Sequence, residues 1–181
     1  MKIAAIIGSS RIDGNTQQLT EMALEGIEYT PIILKDKKIT PIDDLRHADG
    51  GFQPVADDYE EVIDKVLEHD ILIFSTPVYW YGMSGVMKNF VDRWSQSLRD
   101  SRFEFKKKMS QKKVYVVTCG GDQPKIKALP LIQQFQHIFD FMGMSFADYM
   151  IGTANAPHDI ETDQQAVGDA RRWNQAFSSL Q

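Results

Sequence analysis

Short apolar runs alternate with amphipathic segments along the chain. Ile3-Ala4-Ala5-Ile6-Ile7 is an unbroken apolar run, and Leu19, Met22, Ala23 and Ile27 follow it at helical spacing. The same alternation then recurs. Strands are predicted over 2–7, 28–34, 70–75, 113–118 and 145–151, and helices near 15–26, 58–68, 84–98, 127–142 and 162–178. The helical faces are carried by Val62, Ile63, Val66 and Leu67; by Met87, Phe90, Val91, Trp94 and Leu98; by Leu131, Phe135, Ile138, Phe139 and Met142; and by Ala166, Ala170, Trp173 and Phe177. Uninterrupted apolar strands between amphipathic helices imply an α/β fold, with a parallel sheet covered on both faces. Right-handed crossovers leave few strand orders. A five-stranded sheet in the order 2-1-3-4-5, in a three-layer sandwich with helices on both faces, fits best, and its ligand crevice lies between the carboxyl ends of strands 1 and 3.

Two connections are long. Residues 35–57 mix Lys35-Asp36-Lys37-Lys38 with Pro41, Pro54 and Gly50-Gly51, and read as an excursion at the ligand end of the sheet. Residues 99–112 are dense in charge and read as a solvated loop or hairpin before strand 4. At 181 residues, with 43% hydrophobic and 25% charged residues, the chain is expected to form a single domain over 1–181. A net charge of −5 weighs against general nucleic-acid binding. No secretory pattern is read at the start, and no apolar stretch approaches the roughly 20 residues that span a membrane, so no membrane partner and a cytoplasmic location are expected. Cys119 is the only cysteine, which excludes an intramolecular disulfide and any multi-cysteine metal or iron–sulfur site. His47, His69, His137 and His158 are scattered without ligand spacing, so no metal site is expected and ordinary structural use is favoured for each.

The first strand runs into Gly8-Ser9-Ser10-Arg11-Ile12-Asp13-Gly14-Asn15-Thr16 and then a helix. A strand–loop–helix junction presents unpaired backbone N–H groups and a positive dipole end, a natural seat for an anion. Ser9, Ser10 and Thr16 add hydroxyl donors, and Arg11 adds a charged fork. The bland alternative is a turn capped by Asn15 or Thr16. A Walker A loop is excluded because Asn15-Thr16 stands where its Lys would be, and the chain does not read G-x-G-x-x-G. The loop suits a monoester phosphate that needs no metal.

Strand 3 ends in Ser75-Thr76-Pro77-Val78-Tyr79-Trp80-Tyr81-Gly82-Met83-Ser84-Gly85. Three consecutive aromatics at the carboxyl end of a central strand offer flat faces to a conjugated ring, with backbone N–H and C=O groups for its polar edge. Alternatively, Tyr79 and Trp80 seal the core or a subunit contact. Strand 4 ends in Cys119-Gly120-Gly121-Asp122, where the glycines open backbone N–H groups beside the same crevice. Cys119 is read as a wall residue, since no base or cation that would activate it is identifiable.

Together these loops resemble the NADPH-dependent FMN reductase family of the flavodoxin-like superfamily, and within it the flavin reductases related to iron–sulfur flavoproteins. Gly8-Ser9-Ser10-Arg11 with Gly14-Asn15-Thr16 is similar to the family's phosphate loop. Thr76 to Gly85, followed by Lys88 and Asp92-Arg93, matches its second signature, and Cys119-Gly120-Gly121 falls at its third flavin loop. The cluster cysteines of the iron–sulfur members are absent: Ile39-Thr40-Pro41-Ile42-Asp43-Asp44-Leu45 leads to Asp57-Asp58-Tyr59 without a cysteine. FMN is then the sole redox centre to expect.

The resemblance implies a flavodoxin-like fold and an oxidoreductase that passes hydride from NAD(P)H through flavin N5 to a small acceptor, such as a quinone, a nitro or azo compound, free flavin or a ferric chelate. It implies that Ser9, Arg11, Asn15 and Thr16 hold the phosphate, with Ser10 and the Gln17 amide nearby. Pro77, Val78, Tyr79, Trp80, Tyr81 and Gly82 would contact the ring and ribityl chain, and Cys119, Gly120 and Gly121 would close the other side. No catalytic side chain is expected beyond the flavin. A homodimer or homotetramer is implied, with the aromatic loop and the helix carrying Lys88, Asp92, Arg93 and Trp94 as interface elements. Two other functions fit parts of the pattern. One is a flavodoxin-like electron carrier that needs a partner reductase, against which Lys35–Lys38 and Lys106–Lys108 are read as bringing positive charge toward the ligand end. The other is a flavin-free domain binding another phosphorylated metabolite.

Overall fold

The computed structural model describes residues 1–102 and 104–180. In chain order its elements are β1 (Ile3–Ile7), α1 (Asn15–Ala23), β2 (Thr30–Ile33), α2 (Tyr59–Leu67), β3 (Ile71–Ser75), α3 (Gly85–Asp92), α4 (Trp94–Ser97), α5 (Phe105–Met109), β4 (Lys113–Gly120), α6 (Pro124–Lys127), α7 (Leu129–Met142), β5 (Ser145–Thr153) and α8 (Gln164–Ser178), with 3-10 turns at Leu34–Asp36 and Asp159–Thr162. The five strands form one parallel sheet in the order β2-β1-β3-β4-β5, as the sequence pattern implies.

Side chains alternate across the strands and so divide the core in two. Ala4, Ile6, Leu72, Phe74, Val114 and Val116 meet α2, α3 and α7 on one face. Ile3, Ala5, Ile7, Ile71, Ile73, Tyr115, Val117 and Cys119 meet α1 and α8 on the other. Phe74 centres the first layer, its ring 5.0 Å from Phe139 and 5.7 Å from Phe135. Tyr115 centres the second, 4.9 Å from Trp173 and 5.1 Å from Phe177. Every residue of β1 and β3 is buried, which is why these strands read as continuous apolar runs.

The elements depart from the sequence expectation where a local rule intervenes. The helix expected over 84–98 divides at Arg93, where the Gln96 N–H donates back to the Arg93 carbonyl in a tighter i→i+3 turn. The helix expected over 127–142 divides at Ala128, because Pro130 has no N–H with which to continue the α6 ladder. The connection at 99–112 is not merely solvated: α5 buries Phe105 and Met109, and Phe105 lies 5.9 Å from Trp94. Lys106–Lys108 therefore sit before the amino end of β4, with Lys106 Nζ over Phe141 at the end of α7. They are at the opposite edge of the sheet from the ligand crevice.

The excursion after β2 is pinned from below by Arg93. Its guanidinium is 2% exposed and donates to Asp57 Oδ2 (2.6 Å), the Thr40 carbonyl (3.0 Å) and Gln96 Oε1 (3.0 Å), with its Cζ 4.5 Å from the Tyr59 ring centroid. Asp57 also accepts from the Thr40 and Tyr59 N–H groups. Burial pushes the Asp57 carboxyl upward, but Arg93 and these two amides outweigh it and hold it below the ordinary carboxylate range. Arg93 and Trp94 are therefore internal residues in this fold and not elements of an exposed interface, whereas Lys88 and Asp92 pair with each other on the surface.

Candidate functional site

The carboxyl ends of β1, β3, β4 and β5 each release a loop, and the four loops meet. Gly8 leaves β1 with its N–H on the Ser75 carbonyl of β3, 2.7 Å away. Ser9 is buried, and its Oγ accepts from the Arg11 N–H at 3.3 Å. Asp13, at φ 51°, turns the chain into α1. Gly14 is needed here for close approach, because a Cβ on it would stand 2.6 Å from Ser9 Oγ.

Gly14 occupies the N-cap of α1 without any side-chain hydrogen bond, and the first turn of the helix contains no acidic residue. Neither Asn15 nor Thr16 supplies the cap that the bland reading requires. The Asn15 side chain instead donates to the Ala156 carbonyl (2.8 Å) and accepts from the Ile160 N–H (3.2 Å). Thr16 is buried, and its carbonyl accepts from the Thr20 and Ser75 hydroxyls. The positive end of α1 is thus left open to an anion, flanked by Ser9, Thr16 and the Arg11 guanidinium, whose Nη1 rests on the Asn155 carbonyl at 3.2 Å.

The second loop is a tight hairpin. The Tyr79 and Gly82 backbones exchange both hydrogen bonds at 3.0 Å, and Trp80 and Tyr81 occupy the two tip positions at φ 49° and 62°. Such a turn favours Asn-Gly, so two bulky aromatics there hold the backbone in a strained region. Trp80 is 97% exposed. The base of the hairpin is fixed to β4 through the Val78 N–H on the Cys119 carbonyl, 2.9 Å.

The third loop forms the facing wall. Gly121 approaches Asn155 closely enough that a Cβ would stand 3.0 Å from the Asn155 Cβ. Burial pushes the Cys119 thiol up to about 12, so it carries no appreciable thiolate at neutral pH and stands as a wall residue. The fourth loop, after β5, is held by Asp159, whose carboxylate accepts from the Asn155 and Ala156 N–H groups.

Two adjoining hollows result. The smaller, about 100 Å³, is bounded by Ser9, Arg11, Asn15, Thr16, Pro77 and Cys119. The larger, about 350 Å³, is bounded by Trp80, Tyr81, Asp122, Pro124 and Lys127. Val78, Gly120, Gly121 and Asn155 line both. An open helix terminus with hydroxyls and an arginine fits a phosphate. The neighbouring aromatic and glycine-lined space fits a flat ring with a polar edge.

Of the residues singled out from sequence, Ser10, Gln17 and Gly82 stand outside the hollows. Ser10 Oγ lies 2.8 Å from the Tyr79 hydroxyl at the rim, and Gln17 turns along α1 to Glu21. Gly82 closes the hairpin. Ala154, Asn155, Asp122 and Lys127 belong to the site and were not singled out. The two residues after β5 were findable by the rule that ligands gather at strand carboxyl ends. Nothing local distinguishes Lys127.

A hollow of about 720 Å³ at the amino edge, beside Lys2, Tyr29 and His69, is a different matter. Both His69 ring nitrogens are engaged there, by the Lys65 carbonyl and Thr30 Oγ1, which gives that histidine a structural role. Among the described residues, no group of three or more His, Cys, Asp or Glu could hold a metal, and no helix is long and apolar enough to cross a membrane.

The family model for NADPH-dependent FMN reductase matches residues 1–156. A Bacillus subtilis protein named as an NAD(P)H-dependent FMN-containing oxidoreductase is 57% identical over 173 residues, covering 95% of this chain and 96% of its own. An iron–sulfur flavoprotein of Methanocaldococcus jannaschii is 32% identical over 194 residues, covering 99% of this chain and 97% of its own. Among solved structures, one titled Trp repressor binding protein from Bacillus subtilis superposes with a TM-score of 0.81 at 53% identity, over 95% of this chain and 99% of its own. An FMN-dependent NADH-azoreductase of Bacillus anthracis, solved with FMN, superposes at 0.66 with 13% identity over 99% of each chain, a likeness of fold alone.

Proposed function

The chain belongs to the NADPH-dependent FMN reductase family, and from that premise we propose that its paired hollows are the FMN site of an NAD(P)H-dependent oxidoreductase. The fold is flavodoxin-like, the activity is NAD(P)H-dependent oxidoreduction and FMN is the cofactor. One observation carries the placement of the site: an uncapped, acid-free helix terminus opens directly onto an aromatic, glycine-lined hollow.

In this reading Ser9, Arg11, Asn15 and Thr16 hold the phosphate, through the α1 N–H groups, buried hydroxyls and one guanidinium. Ser10 assists only indirectly, by steadying Tyr79, and Gln17 contributes its backbone N–H. Pro77 to Gly82 form one wall of the ring site, and Cys119, Gly120 and Gly121 form the other. Asn155 closes the floor between them. When bound, FMN supplies two-electron chemistry, taking hydride from NAD(P)H and delivering electrons to a small acceptor. The protein contributes placement, stacking and backbone hydrogen bonds, and no acid–base side chain is required. We assign the acceptor to the class of quinones, nitro and azo compounds, free flavins and ferric chelates. A single domain over 1–181 and assembly into a homodimer or homotetramer complete the proposal. Trp80 at the hairpin tip is the surface a second copy would cover, and sedimentation of the FMN-loaded protein as a monomer would contradict that assembly.

The phosphate assignment is tested by comparing FMN with riboflavin in equilibrium binding. Loss of several charge-assisted hydrogen bonds, each worth about 1.5–3 kcal/mol, should weaken riboflavin at least about 100-fold. Equal affinities would place the flavin elsewhere.

A further inference from the structure

The loop after β5 reaches the anion seat as well as the ring site. Its two ends are fixed. The Ala154 N–H donates to the Gly120 carbonyl at 2.9 Å, and Ile160 is fully buried in the second core layer. Residues 155–158 between them are exposed. Two side chains flanking the anion seat rest on this stretch. Arg11 Nη1 donates to the Asn155 carbonyl, and the Asn15 side-chain amide donates to the Ala156 carbonyl. The N–H groups of the same two residues converge on one atom, Asp159 Oδ2, at 3.0 Å and 2.7 Å. The Asn155 carbonyl and the Ala156 N–H belong to one trans peptide plane and point opposite ways. Holding that N–H therefore aims that carbonyl. Among the described residues, Arg11 Nε and Nη2 make no hydrogen bond, so both remain for an anion while Nη1 serves as the pivot.

We propose that Asp159 is a positioning residue for the flavin phosphate: it fixes the peptide between Asn155 and Ala156, whose carbonyl holds the Arg11 guanidinium beside the anion seat, and so sets the preference for FMN over riboflavin. The inference rests on the reading of the smaller hollow as the phosphate site. As a carboxylate, Asp159 can only repel a phosphate directly. Its contribution is order. Without it the two N–H groups turn to water, the peptide plane is free to rotate, and Arg11 loses its rest. The phosphate would then have to order the arginine itself, and affinity falls with the fraction of molecules that hold it in place. Riboflavin has no phosphate and draws nothing from Arg11. The charge of Asp159 and its role as acceptor thus act on FMN in opposite directions, which makes them separable.

Equilibrium binding of FMN and of riboflavin to the full chain tests this, with riboflavin as the control for an intact ring site. Asp159→Ala removes the acceptor and should weaken FMN about tenfold while riboflavin stays within about twofold. Asp159→Asn keeps one oxygen acceptor and removes the charge, so FMN should bind at least as tightly as to the unaltered protein. In an Arg11→Ala background the further loss from Asp159→Ala should shrink to about threefold or less, because the two residues act through one contact. An unchanged FMN preference in Asp159→Ala would overturn the proposal. So would parallel weakening of both flavins, which would make the loop a plain wall of the site, or an Asn variant as weak as the Ala variant. A full further loss in the Arg11→Ala background would also overturn it, since Asp159 would then act elsewhere. Equal affinities of the unaltered protein for the two flavins would instead bring down the phosphate site, and the proposal with it.

Discussion

In the proposed site Arg11 and Thr16 would serve one anion from different sides. Arg11 is exposed and, among the described residues, its guanidinium rests only on the Asn155 carbonyl, so its fork can turn to a phosphate at little cost. Thr16 is buried beside Cys119 and is fixed by the fold. Arg11→Ala and Thr16→Val should each weaken FMN binding about 10- to 100-fold, the worth of one hydrogen bond to a charged group, while the melting temperature moves little. Flavin retained through extensive dialysis as well as in the unaltered protein would remove these residues from the site. Cys119→Ser should leave NADPH oxidation nearly unchanged, because a thiol pushed up to about 12 is protonated at working pH; a collapse of turnover would make the thiol a participant. At this scale the hydroxyls, the arginine and the aromatics were legible, because anion seats and ring walls demand particular residue types. Asp122 and Lys127 were not, since their place at the site depends on which loops the topology brings together.

The same limit shows among the elements. The strands and amphipathic helices followed from periodicity, but the breaks at Arg93 and Ala128 came with a tighter i→i+3 turn and with Pro130. Arg93 read from sequence as part of a signature and an interface, yet its work is internal. Its Nε donates to Gln96 and its Nη1 to Asp57 and the Thr40 carbonyl, and so it ties α3 to the excursion after β2. Arg93→Ala leaves Asp57 buried without its counter-charge and should destabilise the fold by roughly 3–5 kcal/mol in urea unfolding. A loss below about 1 kcal/mol would show that the excursion is held by other contacts. The pair also sets an acid limit. Asp57 titrates lower in the folded chain than unfolded, so its stabilisation is present above the ordinary carboxylate value of about 3.9 and is lost as pH falls through the folded value. Asp148 and Asp163 are lowered in the same direction and add to the effect. Unfolding free energy should hold near neutrality and fall below about pH 4; a decline beginning near pH 6 would point to a histidine instead.

For the whole molecule, the sheet order was accessible because five βα units with right-handed crossovers admit few arrangements, and the order locates the crevice. The long connections were harder. Their charge suggested a basic surface near the ligand, but α5 carries Lys106–Lys108 to the far edge, since Phe105 and Met109 are drawn into the core. What the topology builds at the near edge is a shared site from four loops, each anchored by backbone bonds to its neighbour. The central claim is that this site binds FMN and lets NAD(P)H reduce it without another protein. The direct measurement is the visible spectrum of the chain after addition of FMN and desalting, followed by anaerobic NADPH and, in a parallel cuvette, NADH. The account predicts a retained flavin spectrum that bleaches promptly with at least one of the two. A retained flavin that neither bleaches would make the protein a carrier dependent on a partner reductase, and the absence of any bound flavin would contradict the site itself.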